Sequence, residues 1–323
     1  MKYIINGGKK LSGKVSVSGN KNSVFPCVAA ALLTDEEIVL ENVPRIDDTQ
    51  VLLEILADIG VEVKWKGSAL SIKAYSIQKT TLSEDLVSKL RGSIVLSGAL
   101  LGRAGKVSFH HPGGDVIGRR SIETHLEGFK KLGATVLEND VNFSLHYQDS
   151  RRDGECIIFL QESSITACEN LILASVVGEK TVFLKNCPTE PHVLDLCKML
   201  LKMGADIAGM GGNTLVIKGV KKLAGCKFKI GIDFVEMGTY IIAAAITLGK
   251  VEISGVDGTD LDPIIEPLKR FGVKIECNKN KLIVGCDKLT SVPKLTTNLW
   301  PGFPTDLMSA AIVLATQSKG MTL

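Results

Sequence analysis

A short pattern of apolar residues around a glycine recurs along the chain at intervals of roughly 70 residues. It is centred on Gly60, Gly133, Gly204 and Gly272, each of which follows a segment with apolar residues on one face and precedes an alternating or β-branched segment. A glycine in this position typically ends a helix, and the residues after it favour a strand. The recurrence therefore predicts a supersecondary unit that is repeated along the chain.

Two kinds of helix are predicted within each interval. The segments that are apolar almost all round are 25–33, 94–101, 171–177 and 240–248. The segments 51–59 and 193–203 instead carry charges on one face. A helix of the first kind must be buried, whereas one of the second kind lies near solvent. Each unit therefore reads β-α-β-α-β-β, and strands that surround buried helices predict an α/β fold of the inside-out barrel type.

A fifth unit begins at residues 303–306, and its buried helix is predicted over 307–316. The chain ends at Leu323, where the earlier units begin their next strand. At the observed spacing, a fifth anchoring glycine would lie beyond this residue. We therefore expect the last units to be missing and the chain to be C-terminally truncated.

Composition and charge narrow the function classes. The chain has 323 residues, of which 45% are hydrophobic and 23% charged, and its net charge is +3. This charge does not indicate a nucleic-acid partner. The longest apolar run, 24–33, is too short to cross a membrane, and the N-terminus lacks a signal-peptide pattern, so a cytoplasmic protein is predicted. The eight cysteines and five histidines lack metal-ligand spacing, so we predict reduced thiols and neither metal nor cofactor.

Four short motifs fall in register with the repeat. They are SGNKNS at 18–23, LRGSI at 90–94, PGGDVIGRR at 112–120 and FPTD at 303–306. Each is weak alone, but together the chain resembles the UDP-N-acetylglucosamine 1-carboxyvinyltransferases of the enolpyruvyl transferase family. These enzymes transfer enolpyruvate from phosphoenolpyruvate in the first committed step of peptidoglycan synthesis, which serves cell-wall biogenesis, cell shape and cell division.

The resemblance implies two domains with the substrates in the cleft between them. One domain is expected to span 22–229 and to contain three complete units. The other is expected to be discontinuous, made of 1–21 and 230–323, and truncated. The implied ligands are the small molecules UDP-N-acetylglucosamine and phosphoenolpyruvate, with no membrane partner. The oligomeric state stays open.

The resemblance also implies two catalytic carboxylates. Asp115 matches the loop acid that protonates phosphoenolpyruvate, which is a cysteine in many members of the family. Asp306 matches the general base that takes the proton of the sugar hydroxyl, and a helix start keeps such a carboxylate ionised. From the residues alone, Asp115 also fits a turn beside two glycines and Asp306 fits a helix N-cap.

The remaining site residues are carried over as substrate contacts. Lys21, Arg91 and Arg120 supply cations, although a solvated surface charge is the commoner fate of such residues. The contacts expected to the nucleotide sugar are Asn22, Ser121, Ile122, Glu123, Thr124 and Ser164. Glu123 stands where the family usually has an aspartate. Glu162 lies near the place of a family lysine, which puts binding of the diphosphate in doubt.

Two alternative functions stay open on this evidence. 5-Enolpyruvylshikimate-3-phosphate synthase shares the fold and the phosphoenolpyruvate half-reaction, but its first motif usually reads Lys-Ser where this chain has Lys21 and Asn22. It also lacks a counterpart of the Pro-Gly-Gly-Asp loop. The second alternative is a truncated nucleotide-sugar-binding protein without turnover.

The loop aspartate predicts resistance to the epoxide antibiotic fosfomycin. A carboxylate attacks an epoxide more slowly than a thiolate does. We therefore expect the enzyme with Asp115 to resist fosfomycin and the Asp115→Cys variant to be inactivated by it. The rate of activity loss at fixed fosfomycin concentration measures this. Equal inactivation of both proteins would contradict the assignment of Asp115.

Overall fold

The computed structural model describes residues 2–113, 121–139, 141–147, 154–256 and 261–323. The strands are β1 (Ser12–Ser16), β2 (Ile38–Glu41), β3 (Glu62–Lys66), β4 (Ala69–Lys73), β5 (Lys106–His110), β6 (Ala134–Glu138), β7 (Asn142–Tyr147), β8 (Glu155–Phe159), β9 (Thr181–Lys185), β10 (Asp206–Ala208), β11 (Thr214–Lys218), β12 (Lys227–Lys229), β13 (Lys250–Ser254), β14 (Lys274–Asn278) and β15 (Lys281–Gly285). The helices are α1 (Lys21–Ala30), α2 (Asp47–Asp58), α3 (Glu84–Val87), α4 (Leu96–Ala104), α5 (Glu123–Leu132), α6 (Ile165–Ser175), α7 (Pro191–Lys202), α8 (Phe234–Ile246), α9 (Asp262–Arg270) and α10 (Met308–Thr316). Short 3₁₀ helices cover Ala31–Leu33, Arg91–Val95 and Thr305–Leu307.

The chain divides into two compact units. The larger unit is formed by residues 19–231, and the smaller one by residues 1–18 together with 232–323. Each has its own hydrophobic core, with Phe129 and Leu200 in the first and Phe271 and Met237 in the second.

The four sheets share one plan, which confirms the predicted β-α-β-α-β-β repeat. In the larger unit they run β12-β2-β4-β3, β5-β7-β6 and β10-β11-β9-β8, and in the smaller unit β1-β13-β15-β14. In each sheet the strand that follows a buried helix pairs with one hairpin strand in antiparallel fashion. The same strand takes a parallel neighbour on its other side, which for β5 is reduced to the bridge between Thr81 and Ser108.

The barrel prediction needs a correction. Among the described residues, the strands form separate open sheets of three or four strands, and none of these sheets closes on itself. The inside-out arrangement itself is present in the larger unit, where α1, α4 and α6 are buried along most of their length and pack on one another. The amphipathic helices α2, α5 and α7 keep one face exposed.

The four repeat glycines have the predicted conformation. Gly60, Gly133, Gly204 and Gly272 have φ values of 92°, 98°, 96° and 91° and stand where α2, α5, α7 and α9 end. A residue with a Cβ is strained in this left-handed region, whereas glycine is not. The recurring glycine therefore has one physical cause, which is the change of chain direction between an outer helix and the next strand.

The smaller unit contains the start of the fifth repeat. Its helix α10 buries Ala311 and Leu314, whereas Met308, Ile312 and Val313 are exposed. Lys319, after the helix, forms a parallel bridge with Thr290, so the step from helix to strand resembles that of the earlier units. Within the described ranges, none of the helices is both long and apolar enough to cross a membrane.

A buried asparagine joins α4 and α6. The Asn170 carboxamide accepts a hydrogen bond from the Gly98 nitrogen at 2.6 Å and donates one to the Ile94 oxygen at 2.9 Å. In a regular α-helix these two backbone groups would hydrogen-bond to each other. The helices approach so closely here that a Cβ on Gly98 would lie 2.2 Å from the Asn170 carbonyl oxygen.

Substitution of Gly98 by alanine should therefore separate α4 from α6. Because the methyl group meets backbone rather than a flexible side chain, we expect Gly98→Ala to lower the free energy of unfolding by about 2–3 kcal/mol despite the better helix propensity of alanine. Urea denaturation measures this. Gly285→Ala is the control, since its nearest contact would be an ordinary 3.9 Å. Equal stability of the two variants would contradict the argument.

Candidate functional site

A cleft of about 460 Å³ lies in the larger unit between the start of α5 and the end of β8. It brings together Ser121, Glu123 and Thr124, three of the predicted contacts to the nucleotide sugar, with Glu162. Its other lining residues are Glu127, Gly128, Lys131, Ile158, Phe159, Leu160 and Gln161. Residues far apart in sequence thus form one polar depression.

The start of α5 orients the first of these groups. The Ser121 hydroxyl accepts a hydrogen bond from the Glu123 nitrogen at 3.0 Å, which satisfies one of the free N–H groups of the first turn. Glu123 and Thr124 then begin the helix with their side chains accessible. Ile122, in contrast, is buried, so a ligand could contact it only through its main chain.

Ser164 is the N-cap of α6. Its hydroxyl accepts a hydrogen bond from the Ala167 nitrogen at 3.4 Å, and its own nitrogen donates to the Glu162 carbonyl at 2.7 Å. The capping turn therefore fixes the main chain next to Glu162, at the rim of the cleft. Ser164 itself helps to start the helix, as serine commonly does.

Lys21 is held by an acid that the sequence analysis did not identify. Its Nζ lies 2.9 Å from Asp48 Oδ2, in the first turn of α2, and both side chains are partly exposed. Lys21 opens α1, where Asn20 caps the helix by accepting from the nitrogen of Asn22 at 2.8 Å. The two consecutive aspartates at the start of α2 were the available signal, since carboxylates favour a helix N-terminus.

His125, on α5, forms hydrogen bonds with two side chains of α6. Its Nδ1 lies 2.9 Å from Asn170 Nδ2, and its Nε2 lies 3.2 Å from the Thr166 hydroxyl. Because the amide nitrogen can only donate, Nδ1 accepts and Nε2 carries the proton. Burial, and secondarily the charge of Arg91, lower the pKa of His125 to about 3. This neutral ring ties α5, whose first residues are Glu123 and Thr124, to the first two turns of α6.

Only one of the two predicted catalytic carboxylates, Asp306, lies among the described residues. Asp306 belongs to the smaller unit, where it is exposed in the 3₁₀ turn that precedes α10. Asp115 and Arg120 lie outside the described residues. The expected cleft between two domains, and the roles of these three residues, stay predictions.

Other kinds of site receive no support from the described ranges. They contain no group of three or more histidine, cysteine or acidic side chains arranged to hold a metal ion. All eight cysteines fall within these ranges and carry free thiols; Cys27, Cys168, Cys187, Cys197 and Cys286 are buried.

Comparison with known proteins finds matches over nearly the whole chain. The family model for EPSP synthase (3-phosphoshikimate 1-carboxyvinyltransferase) matches residues 5–322. The UDP-N-acetylglucosamine 1-carboxyvinyltransferase of Borrelia garinii is 44% identical over 329 residues, covering 99% of this chain and 76% of that protein. The enzyme of the same name from Treponema denticola is 42% identical over 330 residues, with 99% and 76% coverage.

Two solved structures have similar folds. The enolpyruvyl transferase NikO from Streptomyces tendae superposes with a TM-score of 0.84 and 26% identity, covering 98% of this chain and 75% of that one. EPSP synthase from Acinetobacter baumannii gives a TM-score of 0.69 at 19% identity, with 90% and 68% coverage, which is a likeness of fold alone. The lengths covered do not by themselves support the truncation expected from the sequence.

The buried histidines predict a loss of stability in acid. Burial also lowers the pKa of His192, to about 4. Below about pH 6.5 the unfolded chain binds protons that the folded chain does not, so stability is fully present above that pH. It falls as the pH decreases toward 4 for His192 and toward 3 for His125. Each ring should cost about 2 kcal/mol of stability at pH 5.

Urea midpoints between pH 7 and pH 5 test this. His125→Gln keeps a neutral donor and acceptor, so it should reduce the pH dependence whatever its effect at pH 7. His146→Gln, which replaces a histidine that is not buried, is the control. An unchanged pH dependence in the His125 variant would contradict the neutral ring.

Proposed function

The chain belongs to the EPSP synthase family and, within it, to the UDP-N-acetylglucosamine 1-carboxyvinyltransferases, and we propose that it transfers the enolpyruvyl group of phosphoenolpyruvate to the 3′-hydroxyl of UDP-N-acetylglucosamine. The observation that carries this proposal is the alignment over 99% of the chain at 44% identity with a relative of that name. The polar cleft beside α5 supports it, because predicted nucleotide-sugar contacts line it together.

The alternative acceptor, shikimate 3-phosphate, has weaker support. The structural likeness to EPSP synthase, at 19% identity, indicates the fold and not the substrate. The motif at 18–23 places Asn22 after Lys21, and an asparagine side chain offers both a donor and an acceptor to a sugar. We place the reaction in the cytoplasm, at the first committed step of peptidoglycan synthesis.

The proposed reaction has two steps. First, an acid protonates the methylene carbon of phosphoenolpyruvate while the sugar oxygen, losing its proton to a base, forms a bond to the adjacent carbon. Phosphate then leaves with the electrons of its carbon–oxygen bond, and the methyl group loses a proton to restore the double bond. We assign the acid to Asp115 and the base to Asp306. The Asp306 carboxylate is exposed in the turn that precedes α10, so a substrate hydroxyl can reach it.

Cations must hold the phosphate and carboxylate of phosphoenolpyruvate while its charge is redistributed. Lys21 and Arg120 are the proposed groups. The pairing of Lys21 with Asp48 limits the rotamers of a flexible ammonium and keeps it at the start of α1. Both side chains are partly exposed, so their ion pair contributes little stability. The Lys21 ammonium can therefore pair with the phosphate of a bound substrate with little loss of free energy.

Paired substrate assays test the proposed function. The purified 323-residue protein should release inorganic phosphate from phosphoenolpyruvate when UDP-N-acetylglucosamine is present, and calorimetry should show tighter binding of this nucleotide sugar than of shikimate 3-phosphate. Tighter binding of the shikimate compound would contradict the acceptor assignment. Binding without phosphate release would favour a nucleotide-sugar-binding protein.

An Asp306→Asn variant separates chemistry from binding. Loss of a general base typically lowers kcat by about 10²–10⁴-fold, while affinity for the nucleotide sugar should change little. Asp287→Asn is the matched control, because Asp287 is also an exposed aspartate of the smaller unit but pairs with Lys274 on the sheet. Equal kcat values for the two variants would remove Asp306 from the proposed mechanism.

A further inference from the structure

Phe159 presents an aromatic ring to the cleft beside α5. It is the last residue of β8, and its side chain is 55% exposed, whereas the preceding Ile158 is fully buried. Successive side chains of a strand point to opposite faces, so the core takes Ile158 and the opposite face takes Phe159. The ring lines the same cleft as Glu123 and Thr124. Among the described residues, Phe159 is not part of the buried core of the larger unit.

The polar groups around this ring are of mixed kind. Thr124 and the side-chain amide of Gln161 can donate and accept, Lys131 can donate, and the carboxylates of Glu123 and Glu162 can accept. A flat heterocycle with both N–H and C=O groups could satisfy several of them while it stacks on the ring. Uracil has this chemistry, since its N–H lies between two carbonyl groups.

The charged side chains that line the cleft bear on whether it suits the diphosphate or the base of a nucleotide sugar. Glu127, a third carboxylate in the lining, is paired with Lys130 at 2.7 Å. The remaining charged groups among the described lining residues are Glu123 and Glu162 against Lys131. An acidic cleft disfavours a diphosphate at close range, whereas a neutral base carries no such penalty. The cleft therefore suits the nucleoside end.

We propose that Phe159 is the stacking platform for the uracil ring of the nucleotide sugar and contributes to selection of the acceptor. This inference rests on the proposed function and deepens it, by assigning a specificity residue that none of the four sequence motifs contains. Base-to-aromatic stacking is lost on substitution by alanine, and the loss is expected to be about 10-fold or more in affinity.

Three variants test the platform in the full chain. Phe159→Ala should raise the Kd for UDP and the KM for UDP-N-acetylglucosamine by about 10-fold or more, with kcat and the KM for phosphoenolpyruvate nearly unchanged. Phe159→Tyr should restore both values, because it keeps the aromatic face. Ile157→Ala is the matched control. Ile157 is 62% exposed on the same face of β8 but does not line the cleft, so its loss should leave UDP binding unchanged.

The outcomes separate the two proposals. If the unmodified protein turns over UDP-N-acetylglucosamine and Phe159→Ala has the same KM, the platform is wrong and the proposed function stands. If Phe159→Ala and Ile157→Ala weaken UDP binding equally, the effect belongs to the strand and the platform is again wrong. If the unmodified protein neither binds UDP nor releases phosphate, the proposed function itself fails.

Discussion

The close approach of α4 and α6 at Asn170 is the constraint on which the larger unit depends. One carboxamide contacts Ile94, Ser97 and Gly98 of the α4 region and also the ring of His125. Both of its amide hydrogens are thereby used, and its oxygen accepts from the Gly98 nitrogen. The single proton of the Ser97 hydroxyl is shared between this oxygen, at 3.2 Å, and the Ile94 oxygen, at 2.7 Å. A buried polar group stabilises a core when all its hydrogen-bonding capacity is satisfied, and it is costly otherwise. The spacing of the buried helices, and with it the position of α5 and its cleft, follows from this network.

The repeat could be read from the sequence because its signals are local. A glycine after an amphipathic segment and a helix without a polar face each follow from neighbours within a few turns, and both are present in the structure. The order of strands in the sheets depends on partners far along the chain. Local patterns cannot therefore show that β12 lies beside β2 or that the described sheets stay open.

The candidate site likewise combines residues that are close in sequence with partners from distant segments. Ser121, Glu123 and Thr124 lie within four residues of one another in the sequence, and they line one cleft in the structure. The partners of the other groups come from distant segments, as Asp48 does for Lys21 and Asn170 does for His125. Phe159 had a detectable signal, because strand alternation sends it to the face opposite the buried Ile158, but only the fold shows that a cleft lies on that face.

The pairing of β1 with β13 has a consequence for biosynthesis. Ser12 of β1 lies opposite Lys250 of β13, so β1 leaves the ribosome roughly 240 residues before the strand with which it pairs. At about 5–20 residues per second, this delay is on the order of 10–50 s. Residues 19–231 emerge within it and contain every strand of their own three sheets. The nascent chain can thus complete the larger unit before the partner of β1 has been synthesised. Among the described strand pairings, this one closes the longest loop and so has the highest contact order.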